Sequence, residues 1–272
     1  MNKAGQAIQA QPHESNPSEC SSYSFTAIIL GASGGIGHAM VLEILEQQPN
    51  AQIYRFARTL TNLPPINTTR PGQVLDYVWD LRQPEAFANT LMEIKSHINL
   101  ATLPIDWIFI ASGFLHDETQ QPEKSYKQLT SEALMRSYQL NAVGPIMALQ
   151  TLLEQMDLKR PCKIGVLSAR VGSISDNRMG GWHGYRASKA ALNMLLKNLS
   201  IELARKRAPI TLVGLQPGTT DTALSKPFTK RLDATFLQSP EFTAKSLYKV
   251  LEQLSPEQSG ELFDFKGERF EP

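Results

Sequence analysis

Short apolar runs alternate with longer stretches of helical periodicity along most of the chain. Six of these runs are about as long as a strand that is buried on both faces, and a weaker seventh lies near the C-terminus. The predicted strands are Ala27–Leu30, Gln52–Phe56, Val74–Trp79, Asp106–Ala111, Ile164–Leu167, Thr211–Leu215 and Leu262–Phe265. Between them, the periodicity predicts helices near residues 36–48, 84–99, 130–156, 185–206 and 241–254.

This alternation is typical of a parallel sheet that is covered by helices on both faces. We therefore predict a single α/β domain over residues 24–272, built as a Rossmann-type, doubly wound parallel sheet of about seven strands. Residues 1–23 are polar, and we expect them to form a disordered leader. Two further segments, Thr59–Gly72 and Pro217–Pro240, carry neither pattern, and long connections of this kind are often functional lids.

Composition narrows the classes of function. The net charge of +1 gives no reason to expect a nucleic-acid partner or an anionic membrane surface. Cys20 and Cys162 are the only cysteines and the five histidines do not cluster, so we expect a reducing compartment and no metal site. The chain has neither a secretory h-region nor an apolar run of membrane-spanning length, and we therefore expect a cytoplasmic protein.

The first predicted strand leads into a glycine-rich turn and then a helix. The turn reads Gly31-Ala32-Ser33-Gly34-Gly35-Ile36-Gly37. Glycines permit a tight turn and let the backbone approach a pyrophosphate, which then lies on the helix N-terminus. An ordinary strand-to-helix turn is the alternative, but the position after the first strand of an alternating α/β chain favours dinucleotide binding.

The ends of the second and third strands bear on the choice of cofactor. NAD-dependent enzymes usually carry an acidic residue after the second strand, whereas an arginine suits the 2′-phosphate of NADP(H). Here Ala57-Arg58 follows the strand, and no acidic residue occurs from Tyr54 to Asn62. Arg58 is therefore the candidate phosphate ligand, with a solvated loop arginine as the alternative. Asp80 is a candidate acceptor for the adenine amino group or, equally, a helix N-cap.

A second motif opens the helix predicted over 185–206. Tyr185 and Lys189 are four residues apart, so they lie on one helix face. A phenol titrates at about 10 and is a poor acid–base catalyst at neutral pH. A neighbouring ammonium favours the phenolate, so we expect Lys189 to lower the pKa of Tyr185. For an isolated motif of this kind, an ordinary surface pair is the alternative.

In combination, these motifs resemble the short-chain dehydrogenase/reductase family, classical type, from Phe25 to the C-terminus. The glycine turn is similar to the family's Thr-Gly-x-x-x-Gly-x-Gly, with Leu30 in place of the threonine. Tyr185 and Lys189 match the family's active-site pair, and Asn141 matches its helix asparagine.

Further along the chain, the Pro-Gly turn is matched by Pro217 and Gly218, and the threonine that contacts the nicotinamide carboxamide is matched by Thr222. The segment Ser168–Ile174, with the long stretch that follows it, resembles the C-factor-like and sniffer-like carbonyl reductase branch of the family.

The resemblance implies an NADP(H)-dependent oxidoreductase that interconverts a small-molecule carbonyl and its alcohol by hydride transfer. Tyr185 would be the general acid/base, and Lys189 would lower its pKa and hold the nicotinamide ribose. The main chain at Asn141 would hold a water that links Lys189 to solvent. The alternative is a dinucleotide-binding signalling or regulatory protein with little turnover. The presence of both Tyr185 and Lys189 favours the enzyme.

Two departures from the family pattern stand near the expected site. The family's Asn-Asn-Ala-Gly after the fourth strand reads Ile110-Ala111-Ser112-Gly113. The asparagines are missing, but Ser112 and Gly113 still permit close approach of the backbone, so we expect Ala111, Ser112 and Gly113 to line the cofactor site.

The second departure concerns the catalytic serine. In the family it is the second serine of Ser-Ser-x-x-Gly, and alignment on Gly172 places Ala169 at this position. Ser168 is the first candidate replacement, although neighbouring strand residues point to opposite faces, so it fits only if the strand turns at its end. Ser173 is the second candidate, and the absence of any replacement is the third possibility.

The remaining candidates have simpler alternatives. His116 and Asp117 follow the fourth strand, and we expect them to be ordinary polar loop residues. Trp182 and His183 precede Tyr185 and either line a substrate pocket or have a structural role. The helices predicted over 130–156 and 185–206 are apolar around much of their circumference, which suits a dimer or tetramer and equally suits burial within the monomer.

Overall fold

The computed structural model describes residues 23–68, 73–83, 89–90, 104–230, 233 and 236–272. Within these residues, eight strands form one sheet in the order β3-β2-β1-β4-β5-β6-β7-β8. Their bounds are β1 Phe25–Leu30, β2 Ala51–Ala57, β3 Val74–Val78, β4 Trp107–Ile110, β5 Cys162–Leu167, β6 Ile210–Gln216, β7 Leu262–Asp264 and β8 Arg269–Phe270. All neighbouring pairs are parallel except β7 and β8. The predicted α/β fold with its largely parallel sheet is therefore confirmed.

Helices cover both faces of this sheet. They are α1 Gly35–Gln47, α2 Ser131–Tyr138, α3 Gly144–Leu153, α4 His183–Arg205 and α5 Pro240–Gln253. Side chains alternate along each strand, so Ala27 and Ile29 of β1 face the core under α1 and α5, and Ile28 and Leu30 face the core under α3 and α4. The doubly wound arrangement follows from strands that are apolar on both faces.

One predicted helix is interrupted near Pro145, a residue that has no amide hydrogen to donate. The pattern over 130–156 predicts one helix, but the structure has α2, a π-helical turn over Gln139–Val143, and α3, which ends at Leu153. Pro145 lacks an amide hydrogen and cannot donate to the carbonyl of Asn141, four residues earlier. The π turn therefore lies at Asn141, and single π turns inside helices are frequent at functional sites.

The sheet also has one more strand than predicted. The weak run at Leu262–Phe265 forms β7, and the chain then turns at Gly267, whose φ is +83°, to form β8. A two-residue strand shows no detectable alternation, which explains why the pattern missed it.

Two of the predicted segments lie mostly outside the described residues. The leader predicted over 1–23 lies outside the described residues apart from Tyr23, as does most of the helix predicted over 84–99. Among the helices that are described, none is long and apolar enough to cross a membrane. Met147, Met194 and Ile201 remain exposed on α3 and α4, and the dimer or tetramer stays a prediction.

Candidate active site

The glycine turn lies against the loop that follows β4. Gly31 has a φ of +83°, and a Cβ atom placed on it would lie 2.8 Å from the Ser112 nitrogen. A Cβ atom on Gly37 would lie 2.3 Å from the carbonyl oxygen of Gly31. Both positions exclude a side chain, because such contacts are far shorter than atoms tolerate. The turn therefore joins β1 to α1 in the tight form that a dinucleotide site requires.

The N-terminus of α1 offers main-chain donors to an anion. Its N-cap, Gly34, provides no side-chain hydrogen bond, and Gly34 and Gly35 are exposed. Ser33 and Ile36 beside them are half-buried, and Ile36 packs on the core. Free amide hydrogens at a helix start, together with the helix dipole, favour a phosphate group.

The loop after β4, which packs against this turn, contains an unsatisfied polar group. The hydroxyl of Ser112 is buried and has no hydrogen-bond partner within the described residues. A buried hydroxyl normally finds a partner, so its isolation fits a ligand with polar atoms. Ala111, the preceding residue, packs on the core. A Cβ atom placed on Gly37 would lie 3.2 Å from the Cβ atom of Ala111. These contacts, the open start of α1 and the glycine turn fit a dinucleotide.

Helix α4 presents Tyr185 and Lys189 at the same end of the sheet. Lys189 is 2% exposed, and its Nζ donates a hydrogen bond of 2.9 Å to the carbonyl oxygen of Leu167, the last residue of β5. The Nζ lies 5.9 Å from the centroid of the Tyr185 ring. A Cβ atom placed on Gly113 would lie 3.8 Å from the same Nζ, so Lys189 faces the loop after β4.

Burial dominates the titration of both groups. It raises the pKa of Tyr185 to about 12 and lowers the pKa of Lys189 to about 8. The expectation that Lys189 lowers the pKa of Tyr185 is therefore wrong for the protein alone. The sequence shows the spacing of the two residues, whereas the desolvation that opposes their ionisation depends on how they are packed.

Asn141 holds three parts of the site together. It is fully buried; its Oδ1 accepts from the Phe114 nitrogen at 2.7 Å, and its Nδ2 donates to the Phe114 oxygen at 2.8 Å. The same Nδ2 donates to the Ser188 hydroxyl at 3.0 Å. The π turn, the loop after β4 and α4 are thus fixed to one another. The role of Ser188 was missed, since nothing in the local sequence indicates its partner.

The serine candidates already have partners. Ala169 is extended and half-buried at the start of a short 3₁₀ turn over Arg170–Gly172. The Ser168 hydroxyl is buried and donates to Asn193 Oδ1 at 2.6 Å. The Ser173 hydroxyl is also buried and accepts from the Asp176 nitrogen at 3.2 Å. Neither hydroxyl forms a hydrogen bond with Tyr185 in the described part of the chain. The identity of the group that donates a hydrogen bond to the substrate carbonyl therefore stays a hypothesis.

Described residues of the segment Pro217–Pro240 contact the glycine turn and the loop after β4. Gly218 has a φ of +73° and packs against the Gln238 side chain. The methyl carbon of Thr222 lies 3.0 Å from the position of a Cβ on Gly35, and His116 Nε2 lies 3.0 Å from the carbonyl oxygen of Leu224. These described residues therefore lie over this end of the sheet, with Thr222 beside the glycine turn, and the lid stays a prediction.

The side chains that follow β2 and β3 interact with one another. Arg58 is exposed, and its charge contributes to holding the pKa of Asp80 below its usual range, although hydrogen bonds from Arg82 are the larger cause. Asp80 accepts from Arg82 Nε at 2.8 Å. Asp117 pairs with Arg136 on α2, which agrees with the expected loop role. In the described ranges, no three His, Cys, Asp or Glu side chains group to hold a metal.

These features match a known family. A family model described as short chain dehydrogenase matches residues 25–233. The chain belongs to the short-chain dehydrogenase family. The resemblance drawn from the glycine turn, Asn141, Tyr185 and Lys189 is thereby confirmed, and with it the prediction of an oxidoreductase.

Three relatives resemble between about half and nine-tenths of the chain. An uncharacterized oxidoreductase of Saccharomyces cerevisiae is 31% identical over 259 residues, which span 89% of this chain and 95% of that protein. The C-signal protein of Myxococcus xanthus is 33% identical over 134 residues, 49% of this chain and 75% of that protein. A benzil reductase ((S)-benzoin forming) of Bacillus subtilis is 26% identical over 257 residues, 88% of this chain and 97% of that protein.

Two solved structures share the fold. The carbonyl reductase Sniffer of D. melanogaster superposes with a TM-score of 0.73 at 21% identity, covering 92% of this chain and 100% of that one. An NADPH-bound carbonyl reductase from chicken fatty liver gives a TM-score of 0.75 at 20% identity, with the same coverage. At these identities, the likeness extends to the fold alone.

Proposed function

We propose that this short-chain dehydrogenase is an NADP(H)-dependent oxidoreductase that interconverts a carbonyl and an alcohol, with Tyr185 as the general acid/base. The observation that carries the proposal is the placement of Tyr185 and buried Lys189 on α4, beside Gly113 and next to the loop that contacts the glycine turn. A phenol and an ammonium thus meet at the end of the sheet where doubly wound folds bind their ligands. The benzil reductase among the similar proteins acts on a carbonyl compound, which supports the same chemistry here.

The protein's own groups would supply position and protons. When bound, the reduced nicotinamide would supply the hydride. Tyr185 Oη would donate its proton to the carbonyl oxygen, and a pKa of about 12 keeps the phenol protonated at neutral pH, which is the form a general acid needs. Lys189 would hold the ribose hydroxyls through its Nζ. With a pKa lowered to about 8, it can also exchange protons near neutral pH.

The preference for NADP(H) is assigned to Arg58. A second arginine, Arg55, lies nearby in β2, but it is buried and forms two 2.7 Å hydrogen bonds with Asp76 and one of 2.9 Å with the Pro64 oxygen. Arg55 is therefore already neutralised. Arg58 is exposed and forms no ion pair within the described residues, so its guanidinium is free to bind a 2′-phosphate bidentately.

A low-turnover regulatory protein is the second candidate function, and one observation favours it. Ala169 occupies the position of the family's substrate-binding serine, while Ser168 and Ser173 are bonded elsewhere. Loss of one donor to a developing oxyanion costs about 10²–10³ in rate. Similarity to the C-signal protein agrees with this candidate, but retention of Tyr185 and Lys189 favours the enzyme.

The test is NADPH oxidation with a panel of aldehydes, ketones and quinones, comparing wild type, Tyr185→Phe and Tyr126→Phe. Tyr185→Phe removes only the hydroxyl, so turnover should fall about 10²–10⁴-fold while NADPH affinity and the circular dichroism spectrum stay unchanged. Tyr126, which is 71% exposed on the short turn Tyr126–Gln128, is the matched control and should retain full activity. Wild-type turnover by Tyr185→Phe would exclude Tyr185 as the acid. NADPH binding without oxidation of any compound would favour the regulatory function.

A further inference from the structure

Three aromatic side chains from three separate segments meet beside Tyr185. Trp182 precedes α4, Phe228 belongs to the segment over the site, and His116 follows β4. The ring centroids of Trp182 and Phe228 are 5.0 Å apart, and those of His116 and Phe228 are 5.3 Å apart. The Trp182 ring lies 6.3 Å from the Tyr185 ring. We call Trp182, Phe228 and His116 the aromatic wall.

Trp182 is held in a conformation that a bulky residue rarely adopts. Its φ is 48° and its ψ is 43°, after two glycines that are also left-handed. Glu123 fixes it from both sides: its carbonyl oxygen accepts from the Trp182 nitrogen at 2.5 Å, and its Oε2 accepts from the Gly184 nitrogen at 3.1 Å. Glu123 is buried, so these two hydrogen bonds are shielded from water. Backbone strain of this kind persists where the surroundings enforce it, which is often at functional sites.

Trp182 of the aromatic wall stands at the start of α4, whereas Lys189 lies further along the same helix. Trp182 and Lys189 are seven residues apart on either side of Tyr185, which corresponds to about 10 Å along a helix. Lys189 faces Gly113 and the end of β5. In the segment over the site, Thr222 contacts Gly35, whereas Phe228, six residues further along the chain, contacts Trp182. The wall is thus placed to contact a substrate, and the nicotinamide end of the site lies toward Lys189.

The arrangement of the wall suits an aromatic ring. Its rings are tilted by 60° and 77° to one another, so both faces and edges are presented. Aromatic rings prefer tilted or offset contacts with centroids about 4.5–7 Å apart, and such contacts stabilise a complex beyond the area that they bury. The half-buried Phe228 and Trp182 can therefore accept a further ring in the same geometry. Because His116 also contacts the Leu224 carbonyl, the wall is tied to the segment that covers the site.

We infer that the aromatic wall binds an aryl group of the substrate, so that the preferred carbonyl compounds are aryl ketones and aryl diketones. The inference rests on the proposed function and specifies its substrate class. Two ring contacts, to Trp182 and Phe228, should favour a phenyl compound over its cyclohexyl analogue about ten-fold. The two analogues are matched in size and differ in the π system, so the comparison isolates the aromatic contact.

The experiment compares 1-phenyl-1,2-propanedione with 1-cyclohexyl-1,2-propanedione at saturating NADPH. Wild type, Phe228→Leu, Trp182→Gly and Trp182→Phe are assayed, with Phe242→Leu as the matched control on α5. Glycine adopts the left-handed conformation freely, so Trp182→Gly removes the ring without disturbing the backbone. Phe228→Leu and Trp182→Gly should reduce the phenyl preference from about ten-fold to about two-fold or less. Trp182→Phe and Phe242→Leu should keep it.

Three outcomes overturn the inference: no phenyl preference in wild type, an equal loss of kcat/KM for both compounds, or a weakened NADPH Kd that parallels the loss. The last outcome would assign the wall to the nicotinamide ring. Binding of both compounds to the NADP⁺ complex, measured by calorimetry, separates this inference from the proposed function. If neither compound is reduced, tighter binding of the phenyl compound that Phe228→Leu abolishes still supports the wall, whereas equal binding refutes it.

Discussion

Replacing Lys189 with methionine should change how the stability of the fold depends on pH. Lys189 is almost fully buried, and its burial lowers its pKa from the usual 10.5 to about 8. Methionine has a similar length and no charge. The folded protein therefore carries an energetic cost at neutral pH that the variant lacks, because an ammonium is held away from water.

The magnitude follows from the two pKa values. The interval between 10.5 and about 8 corresponds to about 3 kcal/mol, at about 1.36 kcal/mol per pH unit. Between these two values the unfolded chain binds more protons than the folded one, so the stability of wild type rises with pH. Below pH 8 both states are protonated and the full cost remains. From about pH 7 to about pH 9.5, wild type should gain about 2 kcal/mol relative to Lys189→Met.

The measurement is denaturant unfolding of the two proteins across this pH range. The effect of Tyr185 cancels, because both proteins contain it. Lys197→Met, an exposed position on the same helix, is the matched control, and its difference from wild type should stay constant with pH. A constant difference between wild type and Lys189→Met would refute the reasoning, since it would mean that Lys189 keeps its proton in the fold throughout the range.

The remaining predictions concern the cofactor and the substrate oxygen. Arg58→Ala should weaken NADPH binding about ten-fold or more, because a charge-assisted contact to phosphate contributes roughly 1.5–3 kcal/mol. NADH binding should stay unchanged. Calorimetry with both cofactors checks this, and equal effects on NADPH and NADH would exclude Arg58 as the phosphate ligand. Ala169→Ser should raise kcat about ten-fold or more if the natural protein lacks an oxyanion donor. Ser168→Ala should lower kcat only if Ser168 has taken over that role, with Ser173→Ala as the parallel comparison; an unchanged kcat removes the tested serine from the site.

The fold could be predicted because its signals are local. Buried strands such as β1 and β6 consist mostly of apolar residues, so their positions are visible in the sequence within a residue or two. The break at Asn141 was missed, because apolar periodicity continues through it, although Pro145 gave a local signal. The strand β8 has two residues and depends on pairing with β7, which no local pattern reveals.

The candidate site could be predicted in part. Gly31, Asn141, Tyr185 and Lys189 carry a recognisable spacing, and the structure brings them to one end of the sheet. Glu123 gave no such signal: it stands between Pro122 and Lys124 and looks like a surface acid, yet it is buried because it caps the start of α4. The pKa of Tyr185 was predicted in the wrong direction for a related reason, since desolvation depends on contacts between distant segments.

Unfavourable features accumulate at the same end of the sheet. Lys189 is buried without a carboxylate partner among the described residues, Trp182 has a left-handed backbone, and the Ser112 hydroxyl is buried without a hydrogen bond in that part of the chain. Each of these lowers the stability of the fold, and proteins retain such costs chiefly where function requires them. Replacing Lys189 with methionine, Trp182 with glycine and Ser112 with alanine would remove these costs. Their coincidence around Tyr185 therefore argues that this end of the sheet acts on a ligand, independently of any similarity to known proteins.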